Sequence, residues 1–262
     1  MLKILPSPIP SGRSLARRSR ARIASFTVDV EQDCPPFLET CRGMTEGMPA
    51  LLDLLAELQV RATFFTTGEM ARRFPDIVAR VVADGHELGC HGDLHLDFTQ
   101  LTRAEANAEL RSSLETLRAF APVVSFRAPY LRFPPAYLPL LVRNGLNVDS
   151  SVARYKFGEA HHPHATVAEL IRVPASVTSS VLRLPRMIRT TWIRATREPY
   201  VLFVHPWEAA DFRRSALRWD CRFRTGRPAL RVWRDAITGL QQRGVQFLPL
   251  DELVFTAVQP AT

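Results

Sequence analysis

A chain of 262 residues with 46% hydrophobic composition is long enough to bury a sizeable core, and a single domain of the barrel type is expected rather than two small ones. Its formal charge of +8 is almost wholly arginine spread along the chain, so no nucleic-acid partner is expected. No run of roughly 18 apolar residues exists to cross a bilayer. The basic residues of the start follow the apolar ones, the reverse of a secretory signal, and the four cysteines form no C-x-x-C pair, so free thiols and a cytoplasmic location are expected.

Residues 1–22 are rich in Pro, Ser and Arg and predict a disordered or surface-draped lead-in, leaving 23–262 as the folded domain. Ile23 to Val30 reads as a strand ending in the acidic cluster Asp29, Glu31 and Asp33, whose side chains share one side if the strand continues. Crowded carboxylates repel unless a cation or an arginine sits among them. Gly47 to Leu58 reads as an amphipathic helix, Arg61 to Thr66 as a buried strand, Gly68 to Ala83 as a helix broken by Pro75, and His86 to Cys90 as a strand. A helix over Arg103 to Phe120 and a strand over Val123 to Ala128 follow, then a helix over Pro135 to Asn144. Strands at Leu146 to Asp149, Leu170 to Val173 and Tyr200 to Val204, a helix from about Pro228 to Arg243 and a strand at Val245 to Pro249 complete the alternation. Such alternation predicts an α/β architecture with a mostly parallel sheet of about seven units, suited to a barrel.

Polar residues cluster where these strands end: Asp29 and Glu31 after the first, His91 and His95 after the third, Arg127 and Tyr130 after the fourth, Asp149 after the fifth, and His205 in Val204-His205-Pro206-Trp207-Glu208. The carboxyl ends of a parallel barrel converge on one face, so residues remote in sequence meet there. Two imidazoles in H-x-x-x-H spacing beside a carboxylate from elsewhere can hold a metal ion. Here the neighbour of the first histidine is Gly92, not the glutamate of a helical zinc protease, which places the pair in a loop.

The collinear set Thr27-Val28-Asp29-Val30-Glu31, Ala62-Thr63-Phe64-Phe65, His91-x-x-x-His95, Arg127-Ala128-Pro129-Tyr130, Asp149-Ser150-Ser151 and Val204-His205-Pro206-Trp207-Glu208 resembles the NodB-type polysaccharide deacetylases of carbohydrate esterase family 4, over about Ile23 to Leu253. The resemblance implies a distorted seven-stranded (β/α) barrel. It implies Asp29 as catalytic base, Arg127 as the arginine that steadies it, His205 as catalytic acid and Asp149 as the aspartate that orients this acid. His91 and His95 match the two metal histidines; Glu31 is assigned as the metal carboxylate with Asp33 in reserve, because the first motif reads Asp-Val-Glu where many members have two adjacent aspartates. Tyr130 and Trp207 are assigned to substrate contact. The tryptophan usual in the fourth motif is absent after Ser151, and Phe203 stands where leucine is usual, which changes the pocket and leaves the chemistry.

The implied activity is metal-dependent hydrolysis of the N-acyl amide of an aminosugar in a glycan or lipid-linked saccharide. Zinc is favoured by the N/O donors, with Co, Mn or Fe able to substitute. The Tyr130 backbone N–H is expected to help stabilise the oxyanion. Three rivals are weighed: a cyclic-amide hydrolase of the allantoinase type, which tends to lose the metal histidines; an iron oxygenase, whose ligands use H-x-[DE] spacing; and an inactive glycan-binding barrel, which would be expected to lose Asp29 or His205. The tract His161-His162-Pro163-His164 is expected to be a loop rather than a second metal site. In Val181 to Arg194, Leu184, Met187, Ile188, Thr191 and Trp192 fall on one helical stripe, expected to face the core; the sharper alternative is a cationic interfacial helix that brings the protein into peripheral contact with a membrane.

Overall fold

The computed structural model describes residues 22–154 and 167–258. The chain opens on β1 (Arg22–Val30) and, after a π-helical turn at Gly43–Gly47, runs through α1 (Met48–Glu57), β2 (Thr63–Thr66), α2 (Gly68–Arg73), α3 (Pro75–Ala83) and β3 (Glu87–Cys90). It continues through α4 (Arg103–Leu117), β4 (Ser125–Phe126), α5 (Leu138–Arg143), β5 (Val148–Asp149), β6 (Ile171–Arg172) and β7 (Val177–Thr178). The last part holds α6 (Ser179–Leu182), α7 (Arg186–Ala195), β8 (Tyr200–Val204), α8 (Trp219–Arg222), α9 (Arg227–Gln241), β9 (Val245–Phe247) and α10 (Leu250–Val258). The expected lead-in and the histidine tract at 161–164 lie outside the described residues, apart from Arg22, which begins β1.

Local chemistry sets these boundaries. Pro75, which has no N–H to continue α2, opens α3 after Phe74 leaves helical geometry at φ −133°. Thr102 and Glu105 form a reciprocal capping box at the start of α4.

Among the described residues all the strand pairings are parallel, in the order β6-β5-β4-β3-β2-β1-β8-β7, with β9 added to β1. The two ends of that path are one stretch of chain: β6 pairs with β5, Ala175 bridges Ala153, and β7 pairs with β8. Residues 171–178 therefore act as one strand, interrupted at Pro174, that closes a seven-stranded barrel as expected. Alternation in β1 sends Phe26, Val28 and Val30 into the layer beneath α1 and α9. At the amino end of the barrel, α10 places Leu250, Leu253 and Val254 against Phe65, Val148 and Val201. This plug, β7 and the short helices α6 and α8 were not anticipated from sequence.

The stripe on α7 is a correction. Met187, Ile188 and Trp192 are 83%, 53% and 44% exposed, while Arg189 and Ile193 face inward. Arg189 fits there because its Nη1 donates to the Leu182 carbonyl at 3.1 Å, at the end of α6, and its Nη2 lies 3.5 Å from Asp235 on α9. Helical periodicity defines which stripe is apolar; the carbonyls left at the end of a neighbouring helix decided which stripe turns in.

His86, just before β3, accepts the Ala62 N–H at Nδ1 (3.2 Å) beside the Phe64 ring. Burial lowers its pKa to about 4. The unfolded chain then binds more protons than the folded one between about pH 6.5 and 4, so this contribution to stability is present above that window and lost as pH falls through it. The buried Glu87, its pKa raised to about 7, acts in the opposite direction over the same range, so the His86 contribution is read as a difference: on going from pH 6.5 to 4 the parent should lose on the order of 3 kcal/mol relative to His86→Gln, neutral and still an acceptor. An unchanged pH dependence in the variant would reject this assignment.

Candidate active site

The carboxyl end of β1 delivers Asp29 and Glu31 into the barrel mouth, both buried. Between them and the far wall stands Arg127, fully buried, whose Nη1 donates to Asp29 Oδ1 at 2.6 Å and to Thr27 Oγ1 at 2.8 Å. Its other nitrogens donate to the Ser150 carbonyl and hydroxyl, and its plane lies 4.4 Å from the Phe65 ring centroid. Such a satisfied guanidinium can stay charged without water and holds Asp29 in one orientation. Asp33, kept in reserve as a metal ligand, is turned away: it accepts from Arg42 N, Gly43 N and Thr40 Oγ1 at 2.6–2.7 Å and so organises the turn at Gly43–Gly47.

The loop after β3 presents His91 and His95. Its bend uses Gly92 at φ +78°, and Glu109 on α4 accepts the Leu94 N–H at 2.8 Å. Gly68 must lack a side chain here, since a Cβ would lie 1.9 Å from Asp93 Oδ1. His91 Nδ1 donates to the Arg127 carbonyl at 2.7 Å, which in the neutral ring leaves the Nε2 lone pair facing Glu31 Oε2 at 3.4 Å. Two acceptors aimed at each other repel unless a cation lies between them.

His95 Nε2 is 2.5 Å from the same Glu31 oxygen, and the three ligand atoms all lie within 4.8 Å of one another. Burial would lower the His95 pKa, but the Glu31 carboxylate outweighs it and raises the value. Burial would likewise raise Glu31; the His95 and His205 charges hold it well below the usual carboxylate range. Two imidazoles and one buried carboxylate, one imidazole already oriented by a carbonyl on its second nitrogen, fit a divalent metal.

His205 also faces Glu31, with Nε2 3.6 Å from Oε1. Its partner corrects the sequence expectation. Nδ1 is held at 2.7 Å by Glu208, not by Asp149, because the 3₁₀ turn Pro206–Ala209 stacks residues three apart. Asp149 instead accepts from Arg172 Nε at 2.8 Å and from the Ser151 N–H, tying β5 to β6. Glu208 is buried and braced by the Ser179 hydroxyl and by Arg183. Its i, i+3 spacing from His205 was the available signal. Burial would lower the His205 pKa, but Glu31 and Glu208 push it up to about 9.

A cleft of about 250 Å³ opens over this cluster, lined by Asp29, Glu31, His91, His95, His205 and Tyr130 among others. At roughly 30 Å³ per water it has the volume of about eight waters, room for an acylamino group and the ring bearing it. Tyr130, 38% exposed and edge-on to His95 at 4.8 Å, forms one wall. Trp207 is nearly buried and stacks on His205 at 5.4 Å, so it backs the imidazole and adds only an edge to the cleft.

The profile of the polysaccharide deacetylase family matches residues 19–148. Over 85 residues the chain is 36% identical to a chitooligosaccharide deacetylase of Sinorhizobium fredii, covering 31% of this chain and 40% of the relative. It is 41% identical over 91 residues to a chitin deacetylase of Colletotrichum lindemuthianum (32% and 36% covered). It is also 36% identical over 76 residues to a peptidoglycan-N-acetylglucosamine deacetylase of Bacillus cereus (29% and 28%). The aligned part is thus well under half of each curated relative. Among solved structures, the Bc1960 peptidoglycan N-acetylglucosamine deacetylase superposes with a TM-score of 0.60 at 20% identity, covering 89% of both chains. A family 4 carbohydrate esterase from Streptomyces lividans superposes at 0.58 and 16%, covering 86% of this chain and 90% of the other. With the barrel, the motif order and the Glu-His-His cluster all in agreement, the chain belongs to the polysaccharide deacetylase family, the NodB-type enzymes of carbohydrate esterase family 4.

Proposed function

We propose that the protein hydrolyses the N-acyl amide, foremost N-acetyl, of an aminosugar in a glycan or lipid-linked saccharide, releasing a carboxylate and a free amine. The observation that carries this reading is the convergence on one cleft of Asp29 held by Arg127, His205 held by Glu208, and the cluster Glu31, His91 and His95. A divalent metal held by those three residues, zinc by the character of the donors, supplies Lewis acidity towards the acyl carbonyl and lowers the pKa of water. Asp29, fixed by the guanidinium, takes the proton of the attacking water. His205, whose proton Glu208 helps to hold, gives it to the departing nitrogen, which is too basic to leave as an anion. Tyr130 borders the cleft and contacts the sugar ring. Acetate or formate release from a panel of N-acylated chitooligosaccharides, peptidoglycan fragments and lipid-linked aminosugars tests the reading; no release from any of them would reject it.

Glu208 serves as the positioning residue for His205. Glu208→Gln removes a carboxylate that raises the His205 pKa, so the basic limb of the kcat/KM profile should move to lower pH by about one unit, with turnover down roughly tenfold at mild alkaline pH. Asp149→Asn should leave that limb in place and cost stability at the β5–β6 seam. The reverse pattern would return the role to Asp149.

A further inference from the structure

The described residues carry a second surface feature that the cleft does not use. Helix α7 exposes Met187, Ile188 and Trp192 along one side, where with Thr191, Ala195 and Thr196 they line a shallow apolar groove that shares no lining residue with the catalytic cleft. Three large apolar side chains on two turns of one short helix are not the scattered exposure of an ordinary surface. The charge around them is one-sided. From Ser179 to Arg197 the sequence contains five arginines and no acidic residue. Arg186, Arg194 and Arg197 are exposed, Arg189 is spent inward on Leu182 and Asp235, and Arg183 is buried beneath.

An apolar strip with a tryptophan, flanked along its own helix by cations, with the nearest carboxylates Asp235 and Glu198 paired to Arg189 and Arg22, matches the boundary of a bilayer that carries anionic headgroups: the side chains leave water while the guanidinium groups stay level with the phosphates. A second copy of the chain fits less well, because a two-fold pairing along this strip sets Arg186 and Arg194 of one copy against the same cations of the other. The helix is rigidly hung. Arg183, three residues before it, donates to the carbonyls of Asp220, Cys221 and Phe223, and Cys221 lines the catalytic cleft.

We propose that α7 is an interfacial helix that docks the protein on an anionic bilayer, with Met187, Ile188 and Trp192 entering the headgroup boundary and Arg186, Arg194 and Arg197 meeting lipid phosphates. The proposal does not depend on what the cleft hydrolyses. The test is sedimentation of the full chain with vesicles of phosphatidylcholine alone and of phosphatidylcholine with one-third phosphatidylglycerol, at low and physiological salt.

Binding should need the anionic lipid, weaken with salt, and shift tryptophan emission to the blue. Met187→Ser/Trp192→Ser, made in the full chain so that the basic start is retained, should weaken binding at least about tenfold and abolish the emission shift with the melting temperature unchanged. Arg186→Glu/Arg194→Glu should do the same to binding while leaving the apolar strip intact, and decides the matter should the first variant misfold. Undiminished binding by both variants, absence of binding to the anionic vesicles, or a dimer that the variants dissociate in place of vesicle binding would overturn the proposal.

Discussion

Exhaustive chelation is expected to lower acyl release by at least about a thousandfold, because loss of Lewis acidity costs several kcal/mol at roughly 1.4 kcal/mol per tenfold. Zinc should restore it, with cobalt, manganese or iron restoring part. Glu31→Ala should fail to hold the metal under elemental analysis and remain inactive on metal addition. Asp33→Ala should keep its metal and instead loosen the Gly43–Gly47 turn, since Asp33 receives three donors there. The raised pKa of His95 adds a pH signature: metal uptake competes with its proton, so apparent affinity should fall as pH falls. Full activity without bound metal, or stoichiometric metal in Glu31→Ala, would contradict the assignment.

Asp29→Asn and His205→Ala are each expected to cut turnover at least about a hundredfold, since each removes one proton-transfer step. Their side effects differ. Asp29→Asn strips the buried Arg127 of its 2.6 Å carboxylate partner, and an uncompensated buried cation costs roughly 3–5 kcal/mol, so its melting temperature should drop as well. His205→Ala takes one partner from the buried Glu208 but leaves it the Ser179 hydroxyl and Arg183, so its melting temperature should drop less. In the metal-loaded parent, activity should fall on the alkaline side as His205 loses its proton, at a pH below about 9 because a divalent cation on Glu31 would offset the carboxylate that raises it while Glu208 still would. A near-normal rate in either variant, measured on the folded fraction, would remove that residue from the mechanism.

Much of this was legible in the residues because strand alternation and βα order are local properties. Alternation along Thr27, Asp29 and Glu31 places two carboxylates inside the barrel, and the parallel order brings them to the end where His91, His95, Arg127 and His205 also arrive. Elements bounded by chemical punctuation, such as the Pro75 break and the capped start of α4, were readable for the same reason.

The tertiary structure alone decided three things, each a competition for partners between segments distant in sequence. Asp149 lost His205 to Glu208 because Arg172 on the neighbouring strand claims it, while a 3₁₀ turn carries Glu208 under the imidazole. Asp33 left the acidic cluster because the backbone N–H groups of Arg42 and Gly43 needed an acceptor. The apolar stripe of α7 turned outward because the Leu182 carbonyl and Asp235 draw Arg189 in. Periodicity states which side chains share a face; what that face meets depends on the unsatisfied donors and acceptors that folding brings opposite it.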